Sequence, residues 1–111
     1  MSSQDALFDE IRTLLQENDV VLFMKGTPEM PQCGFSGVVC QILERLEVPF
    51  VGINILARQD LRQAIKDFTQ WPTIPQIYVK GSFIGGADIL RDMYQTGELK
   101  ELLIEEGLLA A

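Results

Sequence analysis

The chain has 111 residues, 47% of them hydrophobic, with 9 basic and 16 acidic side chains and a net charge of −7. That hydrophobic share supplies a real core and excludes a disordered chain, and the length fits one domain spanning residues 1–111. The acidic balance argues against a nucleic-acid surface or a polybasic membrane patch, both of which need clustered Lys and Arg, and reads as solubility.

Leu7, Phe8, Ile11, Leu14 and Leu15 recur at helical spacing and predict a helix over about 5–17, released at Asn18. VVLFM, residues 20–24, is short and continuously apolar, as a strand buried on both faces would be. Gly26, Pro28 and Pro31 make residues 25–32 a loop. From Cys33 a second helix is marked by Val38, Val39, Ile42, Leu43 and Leu46 and stops before Pro49. FVGIN, residues 50–54, is a second strand, and Asp60 is expected to cap a third helix, DLRQAIKDFTQ. After the two-proline turn WPTIP, QIYV and SFI form a hairpin about Lys80-Gly81. Gly85-Gly86 ends it; Asp88 is expected to cap a helix to about Gln95, closed by Gly97, before a last amphipathic helix, ELKELLIEE.

Two strands joined through a helix pair in parallel by a right-handed crossover, whereas a hairpin is antiparallel. The expected fold is α/β: a mixed four-stranded sheet flanked by helices, which is the thioredoxin-like arrangement.

Two cysteines are too few for a secreted disulfide framework. The opening MSSQDALFDEI has neither the pattern of a secretory leader nor the Arg-rich bias of a transit peptide. No apolar run approaches the roughly 20 residues that span a bilayer. A reducing, cytoplasmic setting is expected, in which a placed cysteine is reactive or metal-binding rather than structural.

Cys33 follows the first strand and begins the helix behind it. Unpaired N–H groups and partial positive charge at a helix start favour thiolate, and Lys25 at the end of the strand adds to that charge. An inert buried thiol is the alternative. Cys40 lies seven residues on, about 10 Å along a helix axis. A disulfide needs Cα atoms within about 7 Å, so the pair should not bridge, and Cys40 is expected in the core. Ser36 occupies the first turn or weakly donates to the Cys33 sulfur. Phe35 either covers the thiol, forms a contact patch or packs in the core.

CGFS at residues 33–36, with KGTPEMPQ before it, WPTIPQIYV after it and GGADIL further on, closely resembles the monothiol glutaredoxins of the CGFS type. The match runs from about Asp5 to Gly107. It implies a single thioredoxin fold that binds glutathione beside Cys33. Pro75 then resembles the cis-proline facing the thiol, with the backbone of Thr73 and Ile74 pairing with the peptide as an added strand would. Lys25, Arg62 and Lys66 match the basic residues at the glycine carboxylate; on their own, Arg62 and Lys66 read as solvated helix charges. Gly86, Ala87 and Asp88 match the turn that holds the γ-glutamyl end. Many relatives carry cysteine at the position of Ala87, so an internal resolving thiol is missing here.

The resemblance implies a [2Fe–2S] cluster, and its ligands can be counted. Four thiolates are needed, while this chain offers one accessible cysteine and no histidine. Two Cys33 side chains and two glutathiones close the count in a homodimer, with Cys33 as the metal ligand and a labile cluster suited to transfer, assembly and iron homeostasis. BolA-like proteins and apoprotein acceptors are the implied partners, and Phe35 and Met30 a surface for them. The competing reading is a glutathione-dependent oxidoreductase in which Cys33 attacks a mixed disulfide and free glutathione resolves it.

Overall fold

The computed structural model describes residues 3–111; the first two residues of the stretch read for a leader lie outside the described residues. The element order is α1 (Ser3–Glu17), β1 (Val20–Met24), α2 (Gly34–Arg45), β2 (Val51–Asn54), α3 (Gln59–Thr69), β3 (Gln76–Val79), β4 (Ser82–Gly85), α4 (Ala87–Thr96) and α5 (Glu98–Glu105). Every expected element is present, within a few residues of its expected ends.

The strands form one sheet in the order β2-β1-β3-β4. β1 runs parallel to β2, with Val21 opposite Val51 and Met24 opposite Asn54. It runs antiparallel to β3, with Phe23 opposite Gln76, and β3 pairs antiparallel with β4. β1 therefore lies inside the sheet with helices on both faces, which is why all five of its side chains are apolar and buried. Alternation splits them. Val20, Leu22 and Met24 join Val39, Leu43, Leu90, Leu99 and Leu103 from α2, α4 and α5. Val21 and Phe23 join Ile11, Leu15, Leu61 and Ile65 from α1 and α3. Among the described residues, no helix is long and apolar enough to cross a membrane.

Both expected caps are corrected by the structure. α3 begins at Gln59 with Arg58 at its cap position, so Asp60 falls inside the first turn. There its carboxylate accepts the N–H of Leu61 at 2.8 Å and pairs with Arg58 at 3.1 Å. Arg58 also reaches Glu10 of α1 through two 3.0 Å bonds, so the start of α3 is tied to α1. α4 begins one residue before Asp88, with Gly86 at its cap position; Asp88 pairs with Arg91 at 3.1 Å instead. In each case a carboxylate found a nearby guanidinium, and the helix start moved upstream of it.

Cys40 is in the core, 2% exposed, and its thiol donates to the thioether sulfur of Met24 at 3.8 Å. Burial, with lesser contributions from Glu44 and Glu29, pushes it up to about 11. Neither cysteine is in a disulfide.

Candidate functional site

The site is assembled where β1 ends. Loop 25–32 folds back on itself: Thr27 and Met30 exchange backbone bonds of 3.2 and 3.0 Å, Gly26 bridges to Pro31, and the N–H of Gln32 donates to the carbonyl of Lys25 at 2.9 Å. Two side chains from other elements pin its base. The Ser36 hydroxyl oxygen accepts the N–H of Lys25 at 3.1 Å. The Asn54 carbonyl oxygen, at the end of β2, accepts the N–H of Gly26 at 3.0 Å. Lys25 is thereby fixed from the loop, from α2 and, through its neighbour, from the edge strand.

Cys33 occupies the cap position of α2 in extended conformation, with its side chain partly accessible. Its thiol is lowered below the ordinary range, chiefly by the backbone N–H of Ser36. Burial opposes this, and the N–H of Phe35, the charge of Lys25 and the Ser36 hydroxyl add to it. Ser36 is fully buried. It is therefore more than an occupant of the first turn: one small hydroxyl faces both the lysine backbone and the sulfur. Phe35 is 60% exposed and Met30 67%, which removes core burial for Phe35 and leaves two apolar side chains standing in solvent, one beside the thiol and one on the loop before it.

A cleft of about 780 Å³ opens beside Cys33. It gathers every residue that the family resemblance assigns to glutathione, together with Phe35. Lys25 comes from just past β1, Cys33 from the cap of α2 and Phe35 from its first turn; Arg62 and Lys66 come from α3. Thr73, Ile74 and Pro75 come from the turn before β3, and Gly86, Ala87 and Asp88 from the start of α4. The Ile74–Pro75 peptide bond is cis. Three basic side chains thus converge on one cleft of a molecule whose net charge is −7. Arg12, Arg58 and Lys80, in contrast, are paired with carboxylates elsewhere, and Arg91 pairs with Asp88, the one carboxylate among the residues lining the cleft. The cleft is a local positive field suited to an anionic ligand.

Trp71, Pro72 and Ile89 also line the cleft, although sequence reasoning gave them no role. The indole N–H of Trp71 is the one buried side-chain polar atom without a partner among the described residues. A Cβ on Gly86 would stand 3.3 Å from the carbonyl of Pro75 and 3.5 Å from that indole nitrogen, so the start of α4 packs closely on the turn. The two prolines that follow Trp71 in sequence, Pro72 and Pro75, are the available signal for a shaped wall at this point.

A mixed sheet in this order, with a cysteine at the start of α2 and a cis-proline lining the same cleft, defines a thioredoxin-like protein. The glutaredoxin family model matches residues 20–84, and the chain belongs to that family, on its monothiol branch. A monothiol glutaredoxin of Synechocystis sp. is 54% identical over 93 residues, covering 84% of this chain and 87% of the relative. The solution structure of reduced apo GrxS14 from poplar superimposes with a TM-score of 0.84 at 45% identity, covering 96% of this chain and 97% of that one. A buckwheat glutaredoxin, solved as a complex with glutathione, superimposes with a TM-score of 0.84 over 96% of each chain. Its 24% identity makes it a likeness of fold.

The electrostatics predict a chemical difference between the two thiols. Thiolate is the nucleophile, so the rate of Cys33 alkylation by iodoacetamide should rise with pH about a midpoint below the roughly 8.5 of a free cysteine. Lys25→Gln removes a positive charge and should move that midpoint up. Cys40 should remain unlabelled at neutral pH until the protein is unfolded; mass spectrometry of the labelled peptides checks both statements.

Proposed function

We propose that this protein carries a labile [2Fe–2S] cluster between two copies of itself, with glutathione supplying half of the thiolates, for transfer to apoprotein acceptors in a reducing compartment such as the cytoplasm. The observation that carries this reading is the ligand count. A [2Fe–2S] cluster takes four thiolates. The chain has no histidine, Cys40 is buried, and no group of three or more His, Cys, Asp or Glu side chains converges among the described residues. One accessible sulfur per chain requires a second chain and two outside thiols. Ligands that exchange suit cargo that is handed on, and iron homeostasis is the physiological setting this implies.

The cleft fits the tripeptide. Its volume lies within the range of about 300–1,000 Å³ typical of small-molecule sites. Lys25, Arg62 and Lys66 would take the glycine carboxylate, and the backbone of Thr73 and Ile74 beside Pro75 would pair with the peptide. The open N–H groups at Gly86 and Ala87 would take the γ-glutamyl carboxylate, with Asp88 on its amine. Phe35 and Met30 offer an apolar collar on which a second copy, or a BolA-like partner sharing the cluster, would sit.

A second reading is favoured by the lowered Cys33 thiol. The thiolate attacks the glutathionyl sulfur of a mixed disulfide, the protein thiolate leaves, and Cys33 becomes glutathionylated. A second glutathione thiolate then attacks that sulfur, releasing oxidised glutathione and restoring Cys33. Burial of Cys40 and the alanine at position 87 leave this resolution to glutathione.

Anaerobic reconstitution with iron, sulfide and glutathione separates the two. Native protein should gain visible absorbance and move from monomer to dimer by size exclusion. Cys33→Ser should do neither, and Cys40→Ser should keep the colour. An iron-loaded single subunit without glutathione would overturn carriage. Rapid metal-free turnover of a glutathione mixed disulfide, with no colour on reconstitution, would make reduction the main activity.

A further inference from the structure

Gln76 is the first residue of β3 and follows the cis-proline. It is fully buried and stands opposite Phe23 in the sheet. A primary amide enclosed in an apolar layer must find partners for both ends. Its nitrogen donates to the carbonyl of Trp71 at 3.0 Å and to that of Thr73 at 3.3 Å, and its oxygen accepts the Tyr78 hydroxyl at 3.4 Å. Residues 71–75 belong to no helix or strand, and Pro72 and Pro75 have no N–H, so the carbonyls of this turn lie outside any ladder. One side chain with two N–H donors on a single nitrogen ties two of them down from inside. The opposite side of the same turn faces the cleft through Thr73, Ile74 and Pro75, and Gly86 at the start of α4 packs against it.

We propose that Gln76 is a positioning residue for glutathione: its amide holds turn 71–75 in the shape that presents the Thr73–Ile74 backbone to the peptide across from Cys33. The inference rests on the reading of the cleft as a glutathione site. Residue type follows from the arrangement. An ionised glutamate would aim a carboxylate at two carbonyls, and methionine would fill the volume with no donor at all. Both take away the donor that the carbonyls of Trp71 and Thr73 share.

The test is calorimetric titration of reduced protein with reduced glutathione. Loss of two hydrogen bonds beneath the binding backbone should weaken binding by about tenfold or more in Gln76→Met and Gln76→Glu. The pH midpoint of Cys33 alkylation should not move, because β1 and α2 hold the sulfur and the turn does not. A merely structural role would lower the melting temperature while leaving affinity intact. Tyr78→Phe, which removes only the bond to the amide oxygen, should keep native affinity. If Gln76→Glu does not fold, Gln76→Met carries the comparison, and its cooperative melt certifies the fold. Native protein that binds glutathione alongside a folded Gln76→Met of equal affinity would sink this inference alone. Native protein that does not bind glutathione would sink the reading of the cleft, and this inference with it.

Discussion

Gly26→Ala should destabilise the protein by roughly 2–4 kcal/mol and raise the alkylation midpoint of Cys33. Gly26 has φ of +92°, a region that costs any residue with a Cβ. The added carbon would also stand 2.6 Å from the Gln32 nitrogen and 2.6 Å from the Met30 carbonyl oxygen. These are backbone atoms, so no rotamer change relieves the contact. The loop must open at the Gly26–Pro31 bridge, and its 2.9 Å bond from Gln32 to Lys25 is the neighbour most exposed to that opening. Lys25 then loses its fixed place near the sulfur, and the thiolate loses part of its stabilisation. Urea denaturation measures the first effect and iodoacetamide labelling the second. Native stability together with an unmoved midpoint would show that the loop's shape does not matter to the thiol.

How much of this site was legible in the sequence depended on the range of the interactions. The apolar run at β1, the helical spacing behind Cys33 and the seven-residue gap to Cys40 are local patterns, and each led to the observed element or burial. The two capping errors have a different origin. Asp60 and Asp88 are both common cap types, but Arg58 and Arg91 stand two and three residues away and take their carboxylates. Spacing could not rank a guanidinium against a backbone N–H. Residues that match a family motif were found because the motif supplies the three-dimensional answer in advance. The long-range bonds of the polar side chains that hold the site are not legible in the sequence, although Ser36 itself stands out beside the thiol. Ser36 bonds 11 positions back to Lys25, and Asn54 bonds 28 positions back to Gly26. Gln76 is a polar residue in an apolar layer, satisfied by a turn that only the folded chain brings over it. None of these partners shares a helix turn or a strand pair with the residue it serves, so periodicity carries no trace of them.

Ser36→Ala tests whether one hydroxyl couples the lysine loop to the thiol. Ser36 has no exposed surface, and its oxygen accepts the Lys25 N–H. Alanine fits the same space but leaves that N–H without an acceptor in a partly buried place, a loss of about 1–3 kcal/mol. Removing the hydroxyl also takes away one of the contributions that lower the Cys33 thiol, so the alkylation midpoint should rise. The helix N–H groups remain, so the rise should be partial, with the midpoint still below that of a free cysteine. Ser36→Thr separates the two effects. It keeps the hydroxyl and adds a methyl group to a filled site, which costs about 1–3 kcal/mol through overpacking. Threonine should therefore lose stability with a near-native midpoint, and alanine should lose both. If both variants shift the midpoint equally, the hydroxyl has no special part, and the helix start and Lys25 alone set the reactivity of Cys33.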